Sequence, residues 1–177
     1  MLLIASSEYN LALDETAAVI ALAYGETRFG AQDFPGYFRD LVENGSNTYF
    51  ETMYGGKNGN ELGTNDAITY RGRGFIQITF KDTYRVVGND LGWDLISNPD
   101  LASQPQNAAV IAAHGLVNGY FSADQKLGSV SFSSDIMRNP NGSLNLSQTR
   151  RLNNANAHDY KIYEARAVYF YEVLQQH

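Results

Sequence analysis

At 177 residues the chain is long enough to remove roughly 70% of its unfolded surface from water, and 44% hydrophobic with 12% aromatic residues excludes a disordered chain. Cysteine is absent, which excludes disulfides, thiolate metal sites and a thiol nucleophile. A net charge of −6 argues against a nucleic-acid binder, which needs a basic face to neutralise phosphates.

In chain order, DETAAVIALAYGE from Asp14 predicts a helix, with an N-cap candidate, an acid in its first turn and apolar residues at helical spacing. Gly25 and Glu26 mark its expected end. Residues 27–69 are rich in Gly, Asn, Thr and Asp and read as a long, loop-rich lobe, a type of segment that is usually functional inside a compact domain. Phe75, Ile76 and Ile78 predict a short strand, followed by a helix over about 81–87 that Gly88 stops. Pro99 marks a turn before a strongly apolar helix over about 106–117. Residues 122–148 read as a second irregular stretch. Residues 157–174 predict a terminal helix with Tyr160, Tyr163, Ala167, Val168, Tyr171 and Leu174 on one face. No repeat or linker divides the chain, so residues 1–177 are expected to form a single, mainly α domain. The longest apolar stretches are far too short to span a bilayer.

A carboxylic acid that protonates a leaving oxygen near neutral pH needs desolvation, and an apolar helix end can supply it. Glu26 stands at such an end, with Tyr24 and Phe29 as possible shields and Gly25 and Gly30 allowing close approach. Alone it reads more readily as a solvated surface glutamate. The segment YRGRGFIQIT, residues 70–79, adds information, because two glycines flank Arg73 and permit close backbone approach.

These residues together resemble glycoside hydrolase family 19, the chitinases and above all the related phage and bacterial endolysins. The resemblance rests on Gly25-Glu26-Thr27, residues 70–79, Asn98-Pro99-Asp100-Leu101 and Thr149-Arg150-Arg151-Leu152-Asn153, in family order. It covers about residues 14–175, with 31–60 and 122–147 matching poorly. It implies a lysozyme-like, mainly α fold of the family 19 chitinase type, α+β with a small β element in the glycine-rich lobe. It also implies a glycosidase with Glu26 as general acid and Thr79 helping to hold the attacking water. Tyr70, Gln77 and Asn153 occupy positions resembling substrate contacts, whereas Arg71 and Arg73 read as braces. Where the family pattern has His-Glu-Ser and Asn-Gly-Gly, this chain has Gly25-Glu26-Thr27 and Asn153-Asn154-Ala155, so the sugar contacts on both walls differ.

An inverting mechanism also needs a carboxylate base about 6.5–9.5 Å from the acid. Glu43 resembles that residue, with Glu51 as its rival and Glu61 and Asp33 behind them. A chain lacking any base would be a lytic transglycosylase. The reading is an endolysin-type muramidase cleaving β-1,4 strands of peptidoglycan; chitinase activity, transglycosylation and a non-catalytic wall-binding phage module are the alternatives. His114, His158 and His177 are too dispersed for a zinc site, and no calcium or phosphate loop occurs, so no cofactor or metal is expected. The expected partner is a glycan strand, bound by a monomer without nucleic acid or membrane insertion. Met1-Leu2-Leu3-Ile4 lacks a basic leader, so the expectation is synthesis in the cytoplasm and delivery to the cell wall by another agent, a phage included.

Overall fold

The computed structural model describes residues 1–27, 41–121, 130–153 and 160–176. These carry helices α1 (Leu2–Glu8), α2 (Leu13–Thr27), α3 (Asn47–Tyr54), α4 (Asp66–Thr69), α5 (Lys81–Leu91), α6 (Pro105–Asn118) and α7 (Tyr160–Leu174). Three 3-10 turns lie at Pro99–Ser103, Asp135–Met137 and Leu146–Leu152. Among the described residues, β structure is confined to isolated bridges: Val42 with Arg73, Arg73 with Ile78 and Arg138 with Leu144. The fold is mainly α, as the sequence predicts. Phe29, Gly30, Asp33, Asn154, Ala155, His158 and His177 lie outside the described residues.

Helix α2 is buried on nearly every side, because its middle is written in small residues: Ala17, Ala18, Val19, Ala21, Leu22 and Ala23 are all fully buried. A helix apolar all round belongs in a core rather than on a surface. It packs against α7, α1, α6 and the Leu146–Leu152 turn. Helix α6 follows the same recipe, starting on Pro105 and ending at Gly119 in the left-handed region (φ 71°), where a residue without Cβ is unstrained. One contiguous hydrophobic core takes residues from α1, α2, α5, α6 and α7 and the turns between them.

Several boundaries differ from the sequence reading. Helix α2 runs through Thr27, whose hydroxyl donates to the Ala23 carbonyl at 2.7 Å, so Gly25 and Glu26 lie inside its last turn. Gly88 does not stop α5; it sits in the interior because a Cβ there would be 2.6 Å from the Trp93 carbonyl oxygen, and left-handed Gly92 (φ 68°) ends the helix instead. Helix α1 was not read from the sequence at all. The loop-rich lobe contains α3 and α4, tied to the start of α5 by Asn60, which donates to the Tyr54 carbonyl and accepts from the Lys81 amide. On α7, Tyr163 and Ala167 are buried, but Val168 is exposed. No helix among the described residues is long and apolar enough to cross a membrane.

Candidate active site

The predicted strand at residues 75–78 is instead a tight turn. Arg73 and Ile78 exchange reciprocal backbone hydrogen bonds of 3.0 and 2.9 Å, and Gly74 crosses the turn at φ 78°. Gln77 (φ 52°) and Phe80 (φ 75°) also adopt left-handed backbone, which for side chains of their size costs on the order of 1–3 kcal/mol each. The core supports this: Phe75, Ile76 and Ile78 are buried, and Arg73, only 3% exposed, donates to the Thr69 carbonyl, the Tyr84 hydroxyl and Asp100. Arg71 donates to the Ile68 carbonyl and lies over the Phe50 ring. Both arginines brace the turn.

Residues 41–43 run alongside this turn. The Glu43 amide donates to the Gly72 carbonyl at 2.8 Å and the Gly74 amide to the Leu41 carbonyl at 2.7 Å. Gly72 is needed for that approach, since a Cβ there would stand 2.8 Å from Gln77 Oε1 and 3.1 Å from Glu43 Oε2. Glu43, Gly72 and Gln77 therefore converge, with Thr79 two residues further along the turn. The Glu43 carboxylate is held by three donors: the Gly72 amide to Oε2 at 3.0 Å, and the hydroxyls of Tyr54 and Tyr49 to Oε1 at 2.8 and 3.2 Å. Burial, followed by the adjoining Glu43 carboxylate, pushes the Tyr54 phenol well above its ordinary range, so it remains a donor. The Thr79 hydroxyl donates to the Gln77 carbonyl at 2.9 Å, leaving its oxygen to accept.

Glu51, the rival to Glu43, is committed elsewhere: its carboxylate accepts from the Gly63 amide at 2.8 Å and closes the loop after α3. Glu61 is exposed. Tyr70 is 5% exposed, its hydroxyl donates to the Ile96 carbonyl and its ring packs on Tyr84. That placement corrects the reading of Tyr70 as a sugar contact, because both its ring and its polar end serve the core.

Glu26 lies in the last turn of α2. Its Oε1 accepts a charge-assisted bond of 2.6 Å from Arg150 and one of 3.2 Å from the Tyr163 hydroxyl. Among the described residues no donor reaches Oε2. The Arg150 guanidinium stacks 4.4 Å over the Tyr163 ring. A Cβ on Gly25 would fall 2.3 Å from that ring, so the glycine before the acid is what lets α7 come close. The shield of Glu26 on this side is Tyr163 rather than Tyr24, whose ring meets Phe170 and Arg166. Asn153 follows Arg150 at the end of the Leu146–Leu152 turn, its amide donating to the Arg150 carbonyl at 3.2 Å.

Sequence reasoning assigns no role in the site to Tyr163 or Tyr54; it reads Arg150 only among arginines that hold loops and carboxylates, and Tyr49 as lobe packing before sugar stacking. The signal for Arg150 was its place in the Thr-Arg-Arg motif; Tyr163 was legible only as an apolar-face residue. Among the described residues no three His, Cys, Asp or Glu side chains cluster as a metal site would require.

The family model described as chitinase class I, glycoside hydrolase family 19, matches residues 8–131. The chain belongs to glycoside hydrolase family 19. Two proteins of Oryza sativa subsp. japonica align with parts of it. Chitinase 11 is 50% identical over 44 residues and Chitinase 8 is 42% identical over 59 residues. These stretches are 25% and 33% of this chain but span only 17% and 22% of the rice proteins. Chitinase C from Streptomyces griseus superposes with a TM-score of 0.63 at 19% identity, covering 92% of this chain and 73% of that one. A bacterial family 19 chitinase gives a TM-score of 0.61 at 18% identity over 98% and 84% of the two chains. At those identities the likeness concerns the fold, and it extends past residue 131 to the arm that carries Arg150 and Tyr163.

Proposed function

We propose that this family 19 chain is a glycan-cleaving enzyme that hydrolyses β-1,4 strands with inversion, and that its substrate is the peptidoglycan of bacterial cell walls. Glu26 is the general acid. With Oε1 occupied by Arg150 and Tyr163, the transferable proton belongs on Oε2. Glu43 is the base, and Thr79, whose hydrogen is engaged by Gln77, accepts a hydrogen bond from the attacking water. Gln77 and Asn153 are the sugar contacts of this reading. The observation that carries it is Glu43 itself, a second carboxylate held by three donors, as hydrolysis requires and transglycosylation does not. The endolysin setting, with delivery to the wall by another agent and action as a monomer, completes the reading.

Mass spectrometry of digests of purified peptidoglycan tests it. Hydrolysis releases reducing muropeptides, and Glu26→Gln and Glu43→Gln should each abolish release. Anhydro-muramyl ends would instead mean transglycosylation, and binding without release would mean a wall-binding module. A second reading, chitin as substrate, is favoured by the alignments to the rice chitinases. Release of soluble oligomers from chitin and none from peptidoglycan would establish it in place of the first.

A further inference from the structure

An ionised carboxylate offers about four acceptor directions, and three of those on Glu43 are filled by Tyr54, Tyr49 and the Gly72 amide. One direction remains for a water. The two tyrosines differ in how firmly they are held. Tyr49 is 42% exposed and its bond is the longer, 3.2 Å. Tyr54 is half-buried, its ring stacked on Phe50 at 6.2 Å and edge-on to Phe80 at 5.2 Å, and its carbonyl accepts from Asn60. Phe80 in turn holds a left-handed backbone (φ 75°), a strained conformation that sets its ring against Tyr54.

We propose that Tyr54 is a positioning residue for the catalytic base: its immobile hydroxyl, 2.8 Å from Oε1, fixes the rotation of the Glu43 carboxylate so that the remaining acceptor direction meets the attacking water. This rests on the reading of Glu43 as base. Tyr54 touches no substrate; it acts through Glu43. Among the described residues, the ionisable groups bonded to Glu43 are Tyr49 and Tyr54 from α3; Arg71, from the turn, lies over Phe50, and Lys81, at the start of α5, is paired with Asp66.

The test is Tyr54→Phe, which keeps the ring contacts and removes only the hydroxyl, assayed on solubilised peptidoglycan strands with Glu43→Gln in parallel. Losing one charged-acceptor bond should lower kcat about tenfold with KM unchanged within about twofold. Phe80→Leu, which removes one wall of the ring clamp and leaves the hydroxyl, should give the same pattern more weakly. Unchanged kcat in both variants, or a KM that moves as far as kcat, beside an inactive Glu43→Gln, overturns the positioning role and leaves the base in place. An active Glu43→Gln overturns the reading of the base itself.

Discussion

At Glu26 the nearest sequence neighbour does as much as any partner. Gly25 leaves the space in which the Tyr163 ring sits, and through it the hydroxyl reaches the carboxylate. Gly25→Ala would overpack this junction, and we expect a loss of about 1–3 kcal/mol of stability, read by denaturant melting, with a fall in peptidoglycan clearing. An unchanged midpoint would mean that α7 does not approach α2 in this way. Glu26, Gln77 and Thr79 stand out as candidates in the sequence because they lie in recognisable motifs, whereas Glu43 lies in a poorly matching stretch and shares its candidacy with Glu51. The donors to Glu26 and Glu43 do not stand out, since Tyr54 is 11 residues from Glu43, and Arg150 and Tyr163 are 124 and 137 residues from Glu26. No local pattern encodes partners at that distance.

The helices are set in place by polar groups at their ends. At the start of α2, Asp14 accepts from the Leu144 amide at 2.5 Å, and Glu15 pairs with Arg138 while accepting from the Ala12 amide. Asp14, the N-cap candidate of the sequence, thus lies inside the first turn of α2, and that acidic turn anchors the 138–144 bridge region. Arg138→Met leaves the largely buried Glu15 without its cation, and we expect a cost of about 1–3 kcal/mol, measured as a lowered denaturation midpoint.

The start of α5 is linked to α4 by Lys81 and Asp66, 3.0 Å apart. Burial opposes ionisation of Asp66, but the Glu61 amide and Lys81 outweigh it and hold the carboxyl below its usual value; the bond to Asp66 raises Lys81. A depressed carboxyl stabilises the fold above its unfolded value of about 4 and loses that contribution as pH falls through the lower folded value. A raised lysine stabilises below about 10.4 and loses it as pH rises through the higher folded value. The link is therefore complete between about pH 4 and 10, and Asp66→Asn should flatten both ends of the melting-temperature profile. A profile identical to that of the parent would remove the link from the stability of the fold.

Over the whole molecule, the family match ends at residue 131 while the arm bearing Arg150 and Tyr163 lies beyond it. Helix α7 and the Leu146–Leu152 turn both pack on α2, the most buried helix, so a chain cut after residue 131 should expose α2 and lose cooperative unfolding as well as activity. Circular dichroism melts of the two forms check this. Because one core joins α1 to α7, the intact chain is expected to unfold in a single transition, and two resolved transitions would count against a single domain.

By itself the sequence determined the class: small and apolar residues at helical spacing wrote α2, α6 and α7, and short motifs pointed to a glycosidase family and to Glu26, while leaving Glu43 and Glu51 as rivals. Periodicity and motifs are local, so they survive without coordinates. Only the tertiary structure decided which glycines end helices and which admit a neighbour, as at Gly88 against Gly92, because that depends on what packs beside them. It also gave Glu43 and Glu51 different surroundings. The two carboxylates are alike in composition and differ only in which donors the folded chain brings to them, Tyr49, Tyr54 and Gly72 for one and Gly63 for the other.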